Sequence, residues 1–219
     1  MKVLVFDTET TGLPFPRNTS IMETNKWPYI VQLSYLFFDI SQNQLIRIAD
    51  NIIKIPEEVA ISQESIAIHG ITRERVRAEG INIQEALRDF NVYLRNADMI
   101  VGHNIAFDKR MIMVESIRNN IHHNFTINNR RKVEYCTMKN SVELCKIPFE
   151  NPKRARSDYK YPKLSELYYH LFKVQANNLH NSMADVLICF RAYCRIAHNV
   201  DVLECCPAIR KSFEDFGVL

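Results

Sequence analysis

The apolar run Val3-Leu4-Val5-Phe6 is followed without a break by Asp7, Glu9 and the turn residues Thr10, Thr11 and Gly12. β-Branched and aromatic residues with no polar alternation specify a strand covered on both faces. Side chains at i and i+2 of a strand leave on the same side. Asp7 and Glu9 therefore project together from the end of a buried strand. Two like charges held there repel and are costly unless a cation lies between them. A divalent metal answers that need; two solvated acids at a strand end are the plainer alternative.

The chain has 219 residues, enough for one large domain, and its 47% hydrophobic and 24% charged residues are ordinary for a globular protein. It contains no apolar run long enough to span a membrane, and the charged end of its first strand speaks against a secretory signal peptide. The six cysteines form no CxxC pair, which argues against a zinc module and for reduced thiols in an intracellular protein. His122-His123 and Cys205-Cys206 read as surface and packing features. The formal net charge is only +3, but Lys153, Arg154, Arg156, Lys160 and Lys163 face a single acid, Asp158, within residues 153–163. Such a local excess suits a polyanion as well as a solvated loop.

Residues 13–28 carry three prolines and read as a long irregular loop leaving the carboxylate end of the first strand. Residues 29–39 and 45–55 read as an antiparallel hairpin, joined by a short polar turn. Capping residues open short helices over 62–69 and 72–77, and residues 83–97 carry a helical apolar face. Met99-Ile100-Val101 reads as a second buried strand. Phe107, Met111, Val114 and Ile117 share one helical face, placing Asp108 in a first turn, where the helix dipole alone would favour an acid. Residues 130–136 are expected as a fifth strand, 137–145 and 164–172 as helices, and 182–197 as a strong amphipathic helix. The tail from Asp201 is weakly patterned.

The third acidic cluster is His180-Asn181-Ser182-Met183-Ala184-Asp185. Were all six residues helical, His180 and Asp185 would point about 140° apart. If the helix starts near Ser182, His180 lies in the preceding loop and both can face one pocket. Ser182-x-x-Asp185 also approximates a capping box, which explains the acid without catalysis.

Taken together, FDTETTGLP, GHNIAFD and HNSMAD, in that order, resemble the motifs of the DEDD superfamily of 3′→5′ exonucleases, in the DnaQ-like branch whose third motif is H-x4-D. The resemblance runs from Lys2 to about Cys194, with further matches at Ile68-His69-Gly70-Ile71-Thr72 and Lys163-Leu164-Ser165-Glu166-Leu167. It extends to stand-alone DnaQ-like exonucleases and polymerase proofreading subunits. It implies an α/β, ribonuclease H-like fold, with a mixed five-stranded sheet and helices on both faces. The exonuclease domain would span residues 1–200, with 201–219 a C-terminal extension.

The resemblance further implies that Asp7, Glu9, Asp108 and Asp185 hold two divalent metal ions, Mg²⁺ or Mn²⁺, and that His180 takes the proton of the attacking water. Thr10, Thr11, Gly12 and Leu13 would meet the 3′-terminal nucleotide, with Leu13 a wedge against its base; Asn104 and Phe107 would shape the pocket. Arg154 and Arg156 would guide the strand. The expected activity is 3′→5′ hydrolysis of nucleic acid, DNA in the first instance, releasing nucleoside 5′-monophosphates. RNA 3′-end trimming and a non-catalytic, polymerase-associated binding subunit are the alternatives. Nucleic acid and a DNA polymerase are the expected partners, with no membrane and no organic cofactor.

Overall fold

The computed structural model describes residues 1–150, 158–177 and 180–219. In chain order its strands are β1 (Lys2–Thr10), β2 (Ile30–Asp39), β3 (Gln44–Ile52), β4 (Met99–Gly102), β5 (Thr126–Ile127), β6 (Arg130–Arg131) and β7 (Val133–Cys136). The helices are α1 (Gln63–His69), α2 (Arg73–Glu79), α3 (Ile83–Asn96), α4 (Ile105–Arg118), α5 (Thr137–Asn140), α6 (Val142–Cys145), α7 (Leu164–Phe172), α8 (Ser182–His198), α9 (Val202–Cys205) and α10 (Pro207–Asp215). The main sheet has the order β3-β2-β1-β4-β7. β2 and β3 are antiparallel and lie to one side of β1; β4 and β7 run parallel to β1 on the other.

β1 is central because its side chains are apolar on both faces. Val3 and Val5 enter one core cluster with Val186, Leu187 and Phe190 of α8. Leu4 and Phe6 enter a second with Leu87 and Phe90 of α3 and Met111 and Val114 of α4. All four are 0–1% exposed, and burying each such side chain contributes roughly 1.5–3 kcal/mol. This three-layer arrangement is the mixed α/β fold that the sequence implies.

Local signals fix the connections. Ser62, Thr72 and Asn82 cap α1, α2 and α3, each side chain accepting a backbone N–H of the first turn. Gly70 ends α1 at φ 70°, the left-handed conformation that glycine takes without strain. The loop 13–28 is anchored rather than free. Arg118 of α4 donates to the carbonyls of Thr24, Trp27 and Pro28 and stacks 3.9 Å above the Tyr29 ring. The same guanidinium pairs with the buried Glu115 at 2.7 Å.

Several elements depart from the sequence expectation. Residues 130–136 are two strands: β6 pairs with β5 in a separate ribbon, and only β7 joins the main sheet. Between them Lys132 turns its ammonium onto the carbonyls of Arg95 and Ala97. Residues 137–145 break at Ser141 into α5 and α6. The second hairpin strand ends at Ile52, and Ile53 bridges to Ile81 instead. The weakly patterned tail folds into α9 and α10, whose Val202, Leu203, Ile209 and Phe213 join the α8 cluster. Among the described residues no helix is long and apolar enough to cross a membrane.

Candidate active site

The odd residues of β1 continue towards α8 past the end of the apolar run, and there they are Asp7 and Glu9. The pairing with β2 shifts register between Glu9 and Thr10, so the strand bulges directly after the second carboxylate. α8 begins opposite. Its cap is Asn181, whose side chain accepts from Met183 N–H at 3.1 Å and Ala184 N–H at 3.3 Å. Ser182 is therefore the first helical residue, and its hydroxyl donates to the Asp7 carbonyl at 2.9 Å. That displaces the capping-box explanation of Asp185, which sits one position too far along to serve it. Asp7, Glu9 and Asp185 each bring an oxygen within 4.8 Å of the others'.

Asp108 reaches the same region from the opposite layer. Thr8 lies between the two acids of β1 and so faces α4; its N–H and hydroxyl both bind Asp108 Oδ1, at 3.1 and 2.8 Å. Asp108 stands beside the three convergent oxygens rather than among them. All four carboxyls are held above their ordinary range. Burial pushes Asp7 up to about 6. Burial and then repulsion by Asp7, Asp185 and Asp108 push Glu9 up to about 9. Asp108 and Asp185 are raised well above the usual value by burial and by the Asp7 charge.

The donor set fits a divalent cation. Its ligand atoms are hard carboxylate oxygens. Among the described residues Asp185 Oδ1 is buried with no hydrogen-bond partner, an arrangement that costs free energy unless a ligand meets it.

His180 has φ 68° in the turn before α8 and is exposed. Its backbone N–H favours the ionised Asp185 carboxylate and partly offsets the upward push of burial. With Asp7, Asp185, Asn104, Tyr161 and Lys163 it lines an open cleft of about 520 Å³. The histidine thus occupies the loop position that lets it face Asp185 across one pocket.

The remaining sequence candidates divide. Thr10 and Thr11 are buried, and their hydroxyls belong to the loop. Thr10 Oγ1 donates to the Gly12 carbonyl, and Thr11 Oγ1 accepts from Tyr29 N–H. Gly12 has open space beside it, and Leu13 is 66% exposed. Asn104 is an exposed left-handed residue capping α4 with its backbone alone. Phe107 is half-buried against the α3–α4 cluster. Arg154 and Arg156 lie outside the described residues.

Two histidines that carried no role in the sequence reading hold the site's walls. His69 Nδ1 accepts from Ile71 N–H, so Nε2 carries the proton and donates to the Thr10 carbonyl at 3.2 Å. His103 bridges Thr137 Oγ1 at 3.0 Å and the Pro162 carbonyl at 3.1 Å, and burial lowers its pKa to about 4. It is a neutral strut between the end of β4 and the loop entering α7. Only the general Gly-His position at a strand end hinted at it.

A family model described as Exonuclease, the RNase T family, matches residues 4–193 and so takes in every carboxylate of the cluster and His180. The chain belongs to this exonuclease family. The resemblance read from the three motifs is thereby borne out, and with it the identification of the chain as an enzyme. Among solved structures, the zinc-bound Escherichia coli Exonuclease I complex with single-stranded DNA is similar at TM-score 0.65 and 18% identity, over 90% of this chain and 41% of that one. The E. coli enzyme with a dT13 oligonucleotide gives TM-score 0.64 and 17% identity, over 89% and 41%. Exonuclease I of Methylocaldum szegediense gives TM-score 0.64 and 17% identity, over 93% and 42%. At such identity these show the shared fold, and the exonuclease-family chain spans about two fifths of the length of each. No curated protein sequence matches it.

Proposed function

We propose that the chain is a metal-dependent 3′→5′ exonuclease that removes nucleotides from a DNA 3′ end as nucleoside 5′-monophosphates. The observation that carries this reading is the convergence of Asp7, Glu9 and Asp185 within 4.8 Å of one another beside an exposed histidine. Asp7, Glu9 and Asp185 would hold one Mg²⁺ or Mn²⁺, and Asp108 with Asp7 a second. Bound divalent cations supply the positive charge that offsets the phosphodiester's developing negative charge and that lowers the pKa of a water. His180, on its exposed turn, accepts the proton of the attacking water, the general-base role that a positioned imidazole most often fills. Gly12, Leu13 and Asn104 hold the terminal nucleotide, and the strand leaves through the cleft past Tyr161. The oligonucleotide-bound Exonuclease I structures support DNA as the substrate.

The direct test uses 5′-labelled single-stranded DNA, paired and mismatched duplex DNA, and RNA under identical salt, with Mg²⁺, Mn²⁺ or EDTA. We expect a ladder shortened from the 3′ end on DNA with metal and none in EDTA. No ladder on any substrate would remove the enzyme reading, and a ladder on RNA alone would reassign the substrate.

Thr8 provides an independent check on the Asp108 half of the site. Thr8→Val keeps the β-branched shape of the strand and deletes the hydroxyl that orients Asp108. Loss of such a supporting hydrogen bond typically costs about 10- to 100-fold in metal affinity or activity. Mn²⁺ titration of the variant should show a weaker second binding event; an unchanged titration would mean that the Thr8 N–H alone suffices to hold Asp108 and that the hydroxyl does not support the metal site.

A further inference from the structure

A groove of about 760 Å³ runs between the loop after β1 and α4, and its cations are Arg17, Lys109, Arg110 and Arg131. Against them stands one carboxylate, Glu134, which pairs with Lys109 at 2.5 Å. Four cations against one acid leave three positive charges in one groove, equal to the formal net charge of the whole chain. Arg17, Arg110 and Arg131 are exposed and form no ion pair among the described residues. Guanidinium groups gathered without acids repel one another and match the geometry of phosphate.

The groove's walls are the two elements that leave the active site. The loop runs from Glu9 through Leu13 to Arg17, and Lys109 and Arg110 directly follow Asp108 on α4. The cleft holding His180 and Tyr161 opens elsewhere and shares no lining residue with the groove. We propose that this groove holds the strand complementary to the substrate in a duplex with a recessed 3′ end. The inference rests on the exonuclease reading above.

Removing one nucleotide from a 3′ end leaves substrate strand on only one side of the scissile bond. With the terminal nucleotide at Gly12 and Leu13 and its strand leaving past Tyr161, no further substrate strand lies beyond Leu13. When that end is base-paired, the opposite strand runs beside it, and its phosphates reach the groove while its bases stay paired. The groove's chemistry agrees. Its single aromatic, Phe125, is 4% exposed, so the groove offers charge and no ring on which a base can stack. Tracks for free single strands combine charge with exposed aromatics, as in the cleft, where Tyr161 is 59% exposed. A paired strand presents mainly its phosphates, which position without reading sequence.

The test is anisotropy binding in EDTA, comparing a labelled single-stranded DNA with a hairpin of recessed 3′ end and long 5′ overhang. The variant is Arg17→Gln/Arg110→Gln/Arg131→Gln. We expect it to bind the hairpin tenfold or more weakly and the single strand unchanged. On the hairpin its log–log salt slope should fall by about 2–3, at about 0.9 per phosphate contact. Glu134→Gln, which releases Lys109, should tighten hairpin binding and so separates charge from misfolding. An equal loss on the single strand would give the groove to the substrate strand, and no loss on either would leave it without a nucleic-acid role; both overturn the proposal. Wild-type protein that ladders single-stranded DNA while the triple variant binds the hairpin normally would sink this inference alone. Wild-type protein that binds neither DNA would sink the exonuclease reading with it.

Discussion

Asp7→Asn is expected to lower the single-turnover rate by at least about 10³-fold while leaving the fold intact. The substitution keeps the size of a half-buried side chain on the central strand and removes only its charge. The bond from Ser182 goes to the Asp7 backbone carbonyl, so the contact that seats α8 on β1 survives. What is lost is the ligand shared by both proposed cations. Metal stabilisation of a phosphoryl transition state is worth several kcal/mol, and about 4 kcal/mol corresponds to a factor of about 10³ in rate. Because the carboxylates act as a unit, Asp7→Asn/Asp185→Asn should be little worse than either single change. Without metal the variant should melt no lower than the parent, since one of four mutually repelling acids is gone. Activity within tenfold of the parent would show that Asp7 is not a ligand. A large fall in melting temperature would mean that the loss reports unfolding.

Why the central strand was readable and its most important neighbour was not follows from the same geometry. Val3 to Phe6 are apolar without alternation, and only a strand covered on both faces accommodates that. α8 is similarly explicit, because Met183, Val186, Leu187, Phe190 and Cys194 form one face over about three turns. Thr8 carries no such mark. A threonine in a strand is the expected β-branched residue, and its hold on Asp108 spans 100 residues and depends on α4 packing against the opposite face. His69 and His103 likewise bind carbonyls 59 residues away in the sequence. The boundary of α8 was ambiguous because Asn181 and Ser182 are both good caps; only the position of the Asp7 carbonyl decides which one turns inward. The tail fails differently. Ile209 and Phe213 are one turn apart, but helices of four and nine residues give too short a period to stand out from their charged neighbours. The five-stranded sheet and the three acidic clusters were legible locally; the supports of the site are tertiary and were not.

The metal-free protein should lose stability as pH rises, and divalent cations should reverse the loss. Glu9 is pushed up to about 9 in the folded protein, from an ordinary carboxyl value near 4.5. Between those values the folded state keeps a proton that the unfolded chain has released. Stability therefore falls with rising pH, by about 1.4 kcal/mol per pH unit for each such proton. Below about pH 4 both states are protonated and the effect vanishes; above about pH 9 it is complete. Asp7, raised to about 6, contributes in the same direction through the lower part of the window. His103 opposes it there. Its folded pKa of about 4 lies below the ordinary 6.5, so its neutral form favours folding more as pH rises to that value. The clean interval is thus pH 6.5 to 8.5, above the histidine and below the ordinary range of the thiols. One excess proton over two pH units amounts to about 3 kcal/mol, and at about 2–4 °C per kcal/mol for a chain of this size the melting temperature in EDTA should fall by about 6–12 °C. Saturating Mg²⁺ or Mn²⁺ binds the ionised carboxylates of the folded state alone, so its stabilisation should grow with pH and flatten the curve. Glu9→Gln should flatten it without metal. A melting temperature in EDTA that is constant or rises from pH 6.5 to 8.5 would mean that the four carboxylates do not repel as their positions require.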